Sequence, residues 1–373
     1  IGVRRSEVII AENSNWLTIG LLAFSIFAVA YSYSLDATLR YTLQSYATSS
    51  YSQHSLLATV NVIKSVMAAA SQPAYARLSD RFGRFELFIV ALVFYATGTV
   101  IESQAYDVNR FAGGAVLYQL GYSGVIVMIE IMLADFSTLN WRLVASFIPA
   151  LPFIINTWVS ADILASLNPT TQWSWDIGMW AFIFPLTCIP FLAVLLYMTW
   201  KASKTPEWKQ INEDAKEQHP FWVSYKRNVF VDVFWEIDVI GILFIICIFG
   251  FILTPFTTAG GVREQWKRGA IIAPLVIGFV LIPFFIWWEQ LWASHPIVPF
   301  PLLKDRGVWS SLIIAVFINW IWYMPNDYMY EVLLVGMRQT IKSALRITSL
   351  YSFVSVITGP LLGIVVVRVR KTK

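Results

Sequence analysis

Residues 31–84 read YSYSLDATLRYTLQSYATSSYSQHSLLATVNVIKSVMAAASQPAYARLSDRFGR, and they follow the apolar run WLTIGLLAFSIFAVA at residues 16–30. This stretch decides the fold because it places charges within helices that are otherwise apolar. Asp36 and Arg40 are four residues apart, which puts an acid and a base on one face of a helix. Charges at membrane depth are costly unless they are paired or face a hydrated cavity. We therefore predict that this pair is functional.

The composition identifies the class of protein. Of 373 residues, 57% are hydrophobic and only 13% are charged. Apolar stretches of about 20 residues recur along the chain, the length that a helix needs to cross the hydrocarbon layer. We predict an all-α, polytopic membrane protein with ten spans, near residues 17–38, 55–76, 87–104, 110–133, 143–163, 177–200, 237–256, 270–290, 308–331 and 346–367.

Charge and cysteine content exclude other classes. The net charge of +4 is small, and the basic residues fall between the predicted spans, so no nucleic-acid partner is expected. Cys188 and Cys247 lie inside apolar runs, so no disulfide framework is indicated. We find no P-loop, metal-ligand spacing or nucleophile elbow, and we predict neither an enzyme nor a bound cofactor. Without an ATP-binding motif, energy for transport must come from a gradient.

The distribution of basic residues predicts the orientation. Arg and Lys concentrate near the amino terminus, at 77–84 and at 201–227, whereas 44–54 and 162–176 contain none. By the positive-inside rule, the amino terminus is cytoplasmic. Basic residues at 263–268 and 338–346 oppose this orientation, but the earlier loops usually dominate. The start at Ile1 suggests that an amino-terminal tail is missing.

The chain divides into three predicted parts. Residues 1–200 form an amino-terminal six-helix bundle, 201–307 a cytoplasmic linker with two extra transmembrane helices, and 308–373 the first two helices of an incomplete carboxy-terminal bundle. A weak repeat supports this division, because Pro73 aligns with Pro360 and Arg81 with Arg368 at a constant offset of 287 residues. We expect the linker to form one amphipathic helix along the membrane surface.

Polar side chains at steps of three or four mark helix faces that could line a passage. For proton coupling we predict the charged members Asp36, Arg40, Glu130, Asp327 and Glu331. For substrate binding we predict the uncharged members and one lysine: Tyr33, Gln44, Asn61, Lys64, Gln72, Gln119, Tyr122, Asn319 and Tyr323. Structural alternatives stay open: an intrahelical ion pair at residues 36–40, a hydrogen-bonded carboxylate at 130, and an interfacial aromatic belt around 320–331.

The loop ARLSDRFGR at residues 76–84 resembles the G-x-L-x-D-R-x-G-R signature of the major facilitator superfamily, with Ala76 replacing the first glycine. Such a cluster would latch two halves of a transporter, although a basic membrane flank is the alternative. We predict gating roles for Asp80, Arg81, Gly83, Arg84, Asp135 and Arg142. For the last two, ordinary loop charges are the alternative.

The runs YTLQSYATSSYSQHSLLATVNVIKSVMAA at 41–69, ADFSTLNWRLVASFIPALPFIINTWVSADI at 134–163 and KSALRITSLYSFVSVITGPLLG at 342–363 resemble the fungal siderophore-iron transporter family of that superfamily. The resemblance covers essentially the whole chain. It implies a major facilitator fold with fourteen transmembrane helices, of which about ten are present here.

The resemblance also implies a function: import of a ferric siderophore with protons, across a fungal plasma, endosomal or vacuolar membrane. The expected partners are the siderophore, protons and the lipid bilayer, and we expect a monomer. Two alternatives remain. The same family includes glutathione–proton exchangers, and a receptor built on a carrier fold would bind a siderophore without transporting it.

Overall fold

The structure is a computed structural model, and it describes residues 2–13, 15–51, 56–167, 169–218, 228–259, 262–298 and 300–369. Within these ranges the regular structure is helical, as predicted from the sequence. The α-helices are α1 Gly2–Glu12, α2 Trp16–Ser50, α3 Leu57–Phe82, α4 Arg84–Ser103, α5 Val108–Phe136, α6 Arg142–Ser146, α7 Phe153–Ser166, α8 Pro169–Gly178, α9 Trp180–Ser203, α10 Pro206–Gln218, α11 Asn228–Ile237, α12 Val239–Ala259, α13 Gly269–Leu291, α14 Phe300–Leu303, α15 Arg306–Glu331 and α16 Ile341–Val369.

Nine helical segments in the described part of the chain are long and apolar enough to cross a membrane. They are α2, α4, α5, α6 with α7, α8 with α9, α12, α13, α15 and α16. At 26 residues, α3 is also long enough to cross, but it carries Asn61, Lys64 and Gln72 and does not meet the same criterion of apolarity. This agrees with the prediction of about ten crossings in a multi-pass membrane protein.

The structure extends several of the predicted helices. The first span was predicted to end near residue 38, yet α2 continues to Ser50 without interruption. Its last turns contain hydroxyl side chains that donate to carbonyls three or four residues earlier, as Thr48 does to Gln44. The predicted surface helix of the linker is two helices in the described residues, α10 and α11, and residues 219–227 between them lie outside the description.

Two glycines bring the backbones of α4 and α5 into direct contact. A Cβ atom on Gly98 would lie closer than 3.0 Å to the backbone of Tyr118, and one on Gly121 closer than 3.0 Å to the backbone of Tyr95. Small residues at such crossings allow close packing of helices in membranes. The pair of contacts fixes the tyrosines of α4 and α5 next to each other.

Two of the later helices, α12 and α16, pack against the earlier helices along two separate contact lines. On one side α7 packs against α16, and on the other α3 packs against α12. A hydrogen bond joins the hydroxyls of Thr59 and Thr257 at 3.1 Å across the second line. The space between α2, α7, α15 and α16 is left as a cavity.

Candidate functional site

The pair Asp36 and Arg40 forms the salt bridge that its spacing predicts. Arg40 Nη2 lies 3.0 Å from Asp36 Oδ1. A second acid joins them, because Arg40 Nη1 also forms an ion pair with Glu102 on α4. The exposed fraction of each of the three residues is 1% or less. Two carboxylates thus share one buried guanidinium, which reduces the cost of burying the charges.

Two tyrosine hydroxyls join Arg40 at Asp36 Oδ2, to which Arg40 Nη2 also donates at 3.1 Å. Tyr118 donates to Asp36 Oδ2 at 3.1 Å, and Tyr95 donates to the same atom. Arg40 Nη2 donates to Thr99 Oγ1 at 3.2 Å, and its guanidinium lies 3.9 Å from the centre of the Tyr118 ring. We call Asp36, Arg40, Glu102, Tyr95 and Tyr118 the buried ionic network. Its acids and base all have partners, as a stable buried network requires.

A polar bridge joins α2 to α3 near this network. Gln44 Nε2 donates to Asn61 Oδ1 at 3.1 Å, and Lys64 Nζ donates to Gln44 Oε1 at 3.3 Å. Lys64 Nζ also lies 5.5 Å from the centre of the Tyr118 ring. Three of the predicted substrate-binding residues therefore meet one another, and their lysine is close to the network.

The network does not face water in this conformation. Asp36 and Arg40 were expected to face a hydrated passage, but they lie on the side of α2 that packs against α4 and α5. The cavity is on the other side of α2, lined by Ala37, Thr38, Tyr41 and Thr42. This corrects the expected direction of the two charges; their role in proton coupling stays a prediction. The physical reason is that Glu102 and two tyrosines supply the partners that water would otherwise provide.

The sequence analysis missed Glu102, Tyr95 and Tyr118 as members of the network. Each lies in an apolar helix and has no charged neighbour in sequence that would mark it. The available signal was the balance of buried charge. Two buried carboxylates need positive charge nearby, and Arg40 and Lys64 were the basic residues on the predicted polar faces. The sequence does not indicate which helix faces α2.

The cavity between the early and the late helices has a volume of about 260 Å³. Its lining combines aromatic rings with hydroxyl groups and contains no formally charged side chain. The aromatic residues are Tyr41, Phe153, Trp322, Tyr323 and Tyr330, and the hydroxyl residues are Thr38, Thr42, Thr157, Thr348, Ser349 and Ser352. Such a surface suits a bulky, amphipathic ligand through stacking and hydrogen bonds.

Of the residues predicted to bind substrate, Tyr323 lines this cavity. Tyr33 and Tyr122 pack edge to face at 5.8 Å, against the ring of Tyr118 rather than in the cavity. Gln119 donates to Ser123 in its own helix at 3.1 Å, and Gln72 is exposed. These residues do not form one lining, because the tyrosines and the Gln44–Asn61–Lys64 bridge lie among the early helices, whereas Gln72 is exposed.

Glu130 on α5 and Asn319 on α15 lie apart from the network. Glu130 is exposed, and none of the described ion pairs includes it. Asn319 is exposed and donates to Ala315 O at 2.9 Å. The side chain of Asp327 lies outside the described residues, and Glu331 is half-buried. The predicted opposition of these acids to Asp36 across a cavity stays a prediction.

The short loop at Gly83 and the helix ends beside it hold most of the predicted gating residues. Asp80 and Arg81 lie in the last turn of α3 and Arg84 begins α4, so residues 76–82 of the predicted loop are helical. Gly83 has a φ of 116°, a left-handed value that glycine adopts without strain. Arg84 lies 3.2 Å from Asp80 and 3.2 Å from Asp135 on α5, while Arg81 forms an ion pair with Glu236 on α11. Arg142 instead donates to Ala134 O at 3.1 Å. The loop thus connects the first helices to the segment before α12.

Ion pairs also join α7 to α16 at the end opposite this loop. Asp162 pairs with Lys342, and its Oδ2 lies 3.7 Å from Arg346 Nη2. The guanidinium of Arg346 lies 4.9 Å from the centre of the Trp158 ring. Lys342 and Arg346 were two of the basic residues that opposed the predicted orientation, and the structure gives them an acidic partner. We call Asp162, Lys342 and Arg346 the outer ion-pair cluster.

Sequence comparison adds to this geometry. The chain is 52% identical over 359 residues to Siderophore iron transporter 1 of Saccharomyces cerevisiae, covering 94% of this chain and 55% of that protein. The chain is thus similar to a fungal protein that is named a siderophore iron transporter. Siderophore iron transporter ARN1 of the same yeast is 48% identical, over 100% of this chain and 59% of its own length. Siderophore iron transporter 1 of Schizosaccharomyces pombe is 30% identical, over 96% of this chain and 56% of its own length.

The chain therefore spans between half and two thirds of the length of these siderophore iron transporters. No family model matches it. Among solved structures, the human organic anion transporter MFSD10 is similar at a TM-score of 0.35 and 15% identity, over 98% of this chain and 86% of that one. That likeness is too weak to support an argument about the fold. The curated relatives are named transporters.

Proposed function

We propose that this chain forms part of a secondary transporter that imports a ferric siderophore together with protons across a fungal membrane. The observation that supports this most is the uncharged cavity of about 260 Å³ between α2, α7, α15 and α16, lined by aromatic rings and hydroxyl groups. Its position between an amino-terminal bundle and the start of a second one fits alternating access in a major facilitator fold. The relatives named above are siderophore iron transporters.

The cavity suits the polar periphery of a chelated iron complex. A chelator encloses the metal, so the protein needs to recognise an organic shell and not to supply metal ligands. Hydroxyls of Thr157, Thr348 and Ser352 could hydrogen-bond to this shell, and Tyr323 could stack on it. At about 260 Å³ the cavity is at the small end for a bulky ligand, so it must widen on binding.

The buried ionic network provides a possible site of proton coupling. One guanidinium compensates two carboxylates, so protonation of either acid would remove the excess negative charge. Movement of α2 away from α4 and α5 would expose Asp36 to water and release its tyrosine donors. In this scheme Asp36 or Glu102 takes up the proton while Arg40 stays charged, and all three become hydrated together. Glu130 on α5 is a second candidate acid.

Transport is tested by uptake of radioactive iron as several ferric siderophores, in yeast that lacks its own siderophore carriers and expresses the full-length protein. The variant Y323A should raise the KM for the transported siderophore about tenfold, the equivalent of one lost stacking contact of about 1.4 kcal/mol. The matched control Y328A alters an exposed tyrosine of α15 outside the cavity lining and should leave KM unchanged. Equal KM values for the two variants would contradict the assignment of the cavity.

Proton coupling is tested in the same cells. The variants D36N and E130Q should abolish uptake driven by a proton gradient while the protein still reaches the membrane. Full uptake in both would refute the coupling assignment. Binding of siderophore without uptake by the wild type would favour a receptor, and competition by glutathione for the same site would favour an exchanger.

A further inference from the structure

A second buried pair of acids lies at the ends of α12 and α13, away from the cavity and the buried ionic network. Asp238 immediately precedes α12, and Glu289 lies two residues before the end of α13. Each residue is 3% exposed. Asp238 has a φ of 55°, the left-handed region that aspartate tolerates better than most residues.

One oxygen of each carboxyl group has ordinary partners. Asp238 Oδ1 accepts from Gly241 N at 3.1 Å, which caps the start of α12, and from Trp288 Nε1 at 3.0 Å. Glu289 Oε2 accepts from Val298 N at 3.1 Å. These bonds hold both carboxyl groups in fixed orientations and account for one side of each group.

The other two oxygens face each other. Asp238 Oδ2 and Glu289 Oε1 are both buried, and neither receives a hydrogen bond from any residue that the structure describes. Both oxygens lie over Gly241, where an added Cβ atom would be 2.4 Å from Asp238 Oδ2 and 2.8 Å from Glu289 Oε1, so the two oxygens are close neighbours. Two ionised carboxylates in this geometry would repel each other without water to screen them.

The neighbouring bases do not neutralise the pair. Arg77 donates to the carbonyl oxygens of Glu236 at 3.1 Å, His295 at 2.6 Å and Pro296 at 2.5 Å. Arg81 forms its ion pair with Glu236. The other charged groups described on α3 also have partners elsewhere, because Asp80 pairs with Arg84 and Lys64 donates to Gln44. His295 lies in the segment that follows α13, and the side chain of Asp232 on α11 lies outside the described residues.

We propose that Asp238 and Glu289 form a proton-binding site, in which one proton is held between Asp238 Oδ2 and Glu289 Oε1. A proton satisfies both unpartnered oxygens and halves the charge of the pair. A divalent metal ion fits less well, because it prefers about six oxygen ligands and the described residues contain no group of three candidate ligands. The site is independent of the proposed transport function.

The site has a structural consequence at this end of the protein. The pair connects the start of α12 to Val298, and the segment before Val298 supplies two of the three carbonyls that hold Arg77. Loss of the proton would leave two adjacent negative charges and favour separation of this segment from α12. Protonation thus stabilises the segment to which Arg77, near the end of α3, is bonded.

Infrared difference spectroscopy on the purified full-length protein tests the proposal. Raising the pH should remove the C=O stretching band of a protonated carboxylic acid. D238N and E289Q should each lack that band, because one acid and one amide need no shared proton. The control E264Q alters an exposed acid in the turn before α13 and should keep it.

W288F provides a second line of evidence if the acid variants do not fold. Removing the indole donor to Asp238 Oδ1 should shift the same band without abolishing it. A band that persists in both D238N and E289Q, or one that W288F leaves unshifted, would overturn the proposal. These outcomes are separate from iron uptake, so failure here would leave the proposed transport function untouched.

Discussion

The buried ionic network and the Asp238–Glu289 pair solve the same electrostatic problem in different ways. Both bury two carboxyl groups to 3% exposure or less. In the first, Arg40 lies between Asp36 and Glu102 and bonds to both. In the second, none of the described bases pairs with either acid. The two unpartnered oxygens lie close together over Gly241. A cation balances the charge in one cluster, and we infer that a proton balances it in the other.

The difference determines how each cluster responds to mutation and to pH. A buried acid that is paired with arginine becomes an unpaired charge when the arginine is removed. A pair that shares a proton is sensitive to pH. The folded protein keeps this proton at pH values where the carboxyl groups of the unfolded chain have already released theirs. Stability that depends on this proton therefore falls as the pH rises.

The largest expected effect is that of removing the base from the network. R40M should lower the free energy of unfolding by about 3–5 kcal/mol, because Asp36 and Glu102 would be left buried without a cation. The measurement is reversible denaturation of the full-length protein in mixed micelles. R110M is the control, since Arg110 lies on the outer surface of α5 over Tyr106. If R40M loses no more free energy of unfolding than R110M, the buried acids of the network do not depend on the cation as proposed.

A smaller effect is expected from neutralising one acid of the network. E102Q should destabilise the protein by about 2 kcal/mol, the value of a charge-assisted hydrogen bond, while Asp36 remains paired. E86Q, at an exposed position of the same helix, is the control and should change stability by no more than about 0.5 kcal/mol. An unchanged stability in E102Q would mean that Arg40 needs only one acid.

Neutralising one acid of the second pair should cost less still at neutral pH. E289Q should change the free energy of unfolding by less than about 1 kcal/mol, because the amide can donate to Asp238 as the shared proton does. It should also flatten the fall in stability that begins at about pH 4, where the unfolded carboxyl groups release their protons, and ends where the folded pair releases its own. Denaturation of the wild type and E289Q across this range provides the test. If the free energy of unfolding falls as steeply with pH in E289Q as in the wild type, the proton that is released belongs to another group.

The outer ion-pair cluster extends the comparison to exposed charges. The Asp162 side chain is 55% exposed. D162N should therefore change stability only slightly, an effect that salt further reduces. The structure joins α7 to α16 through this cluster, so D162N should also increase the labelling of a cysteine placed at Ser349 in the cavity. If S349C is labelled equally with and without D162N, the ion pairs between α7 and α16 do not limit access to the cavity.

Helix content and the charged pair of α2 could be predicted from the sequence because both follow from local rules. Apolar length indicates the spans, and the spacing of Asp36 and Arg40 indicates their salt bridge. The direction in which that pair points could not be predicted in the same way. It depends on which helix packs against α2, and helical periodicity does not identify the neighbour.

The same limit explains the residues that were missed. Glu102 lies at the end of an apolar helix, and its partner is 62 residues away in sequence. Asp238 and Glu289 are separated by a span, a turn and most of another span, so their contact depends on how α12 and α13 pack. Asn61 and Lys64 on α3 contact Gln44 of α2 and do not line the cavity, and Gln119 on α5 bonds within its own helix. Long-range packing determines each of these outcomes.

The glycine contacts between α4 and α5 limit how Asp36 can become hydrated. Because the two backbones touch at Gly98 and Gly121, neither helix can slide along the other without a clash. The hydroxyls of Tyr95 and Tyr118 then keep a constant separation, whatever the rest of the protein does. A displacement of α2 must therefore break both tyrosine bonds to Asp36 in the same step, so water would gain access to this carboxylate abruptly and not by degrees.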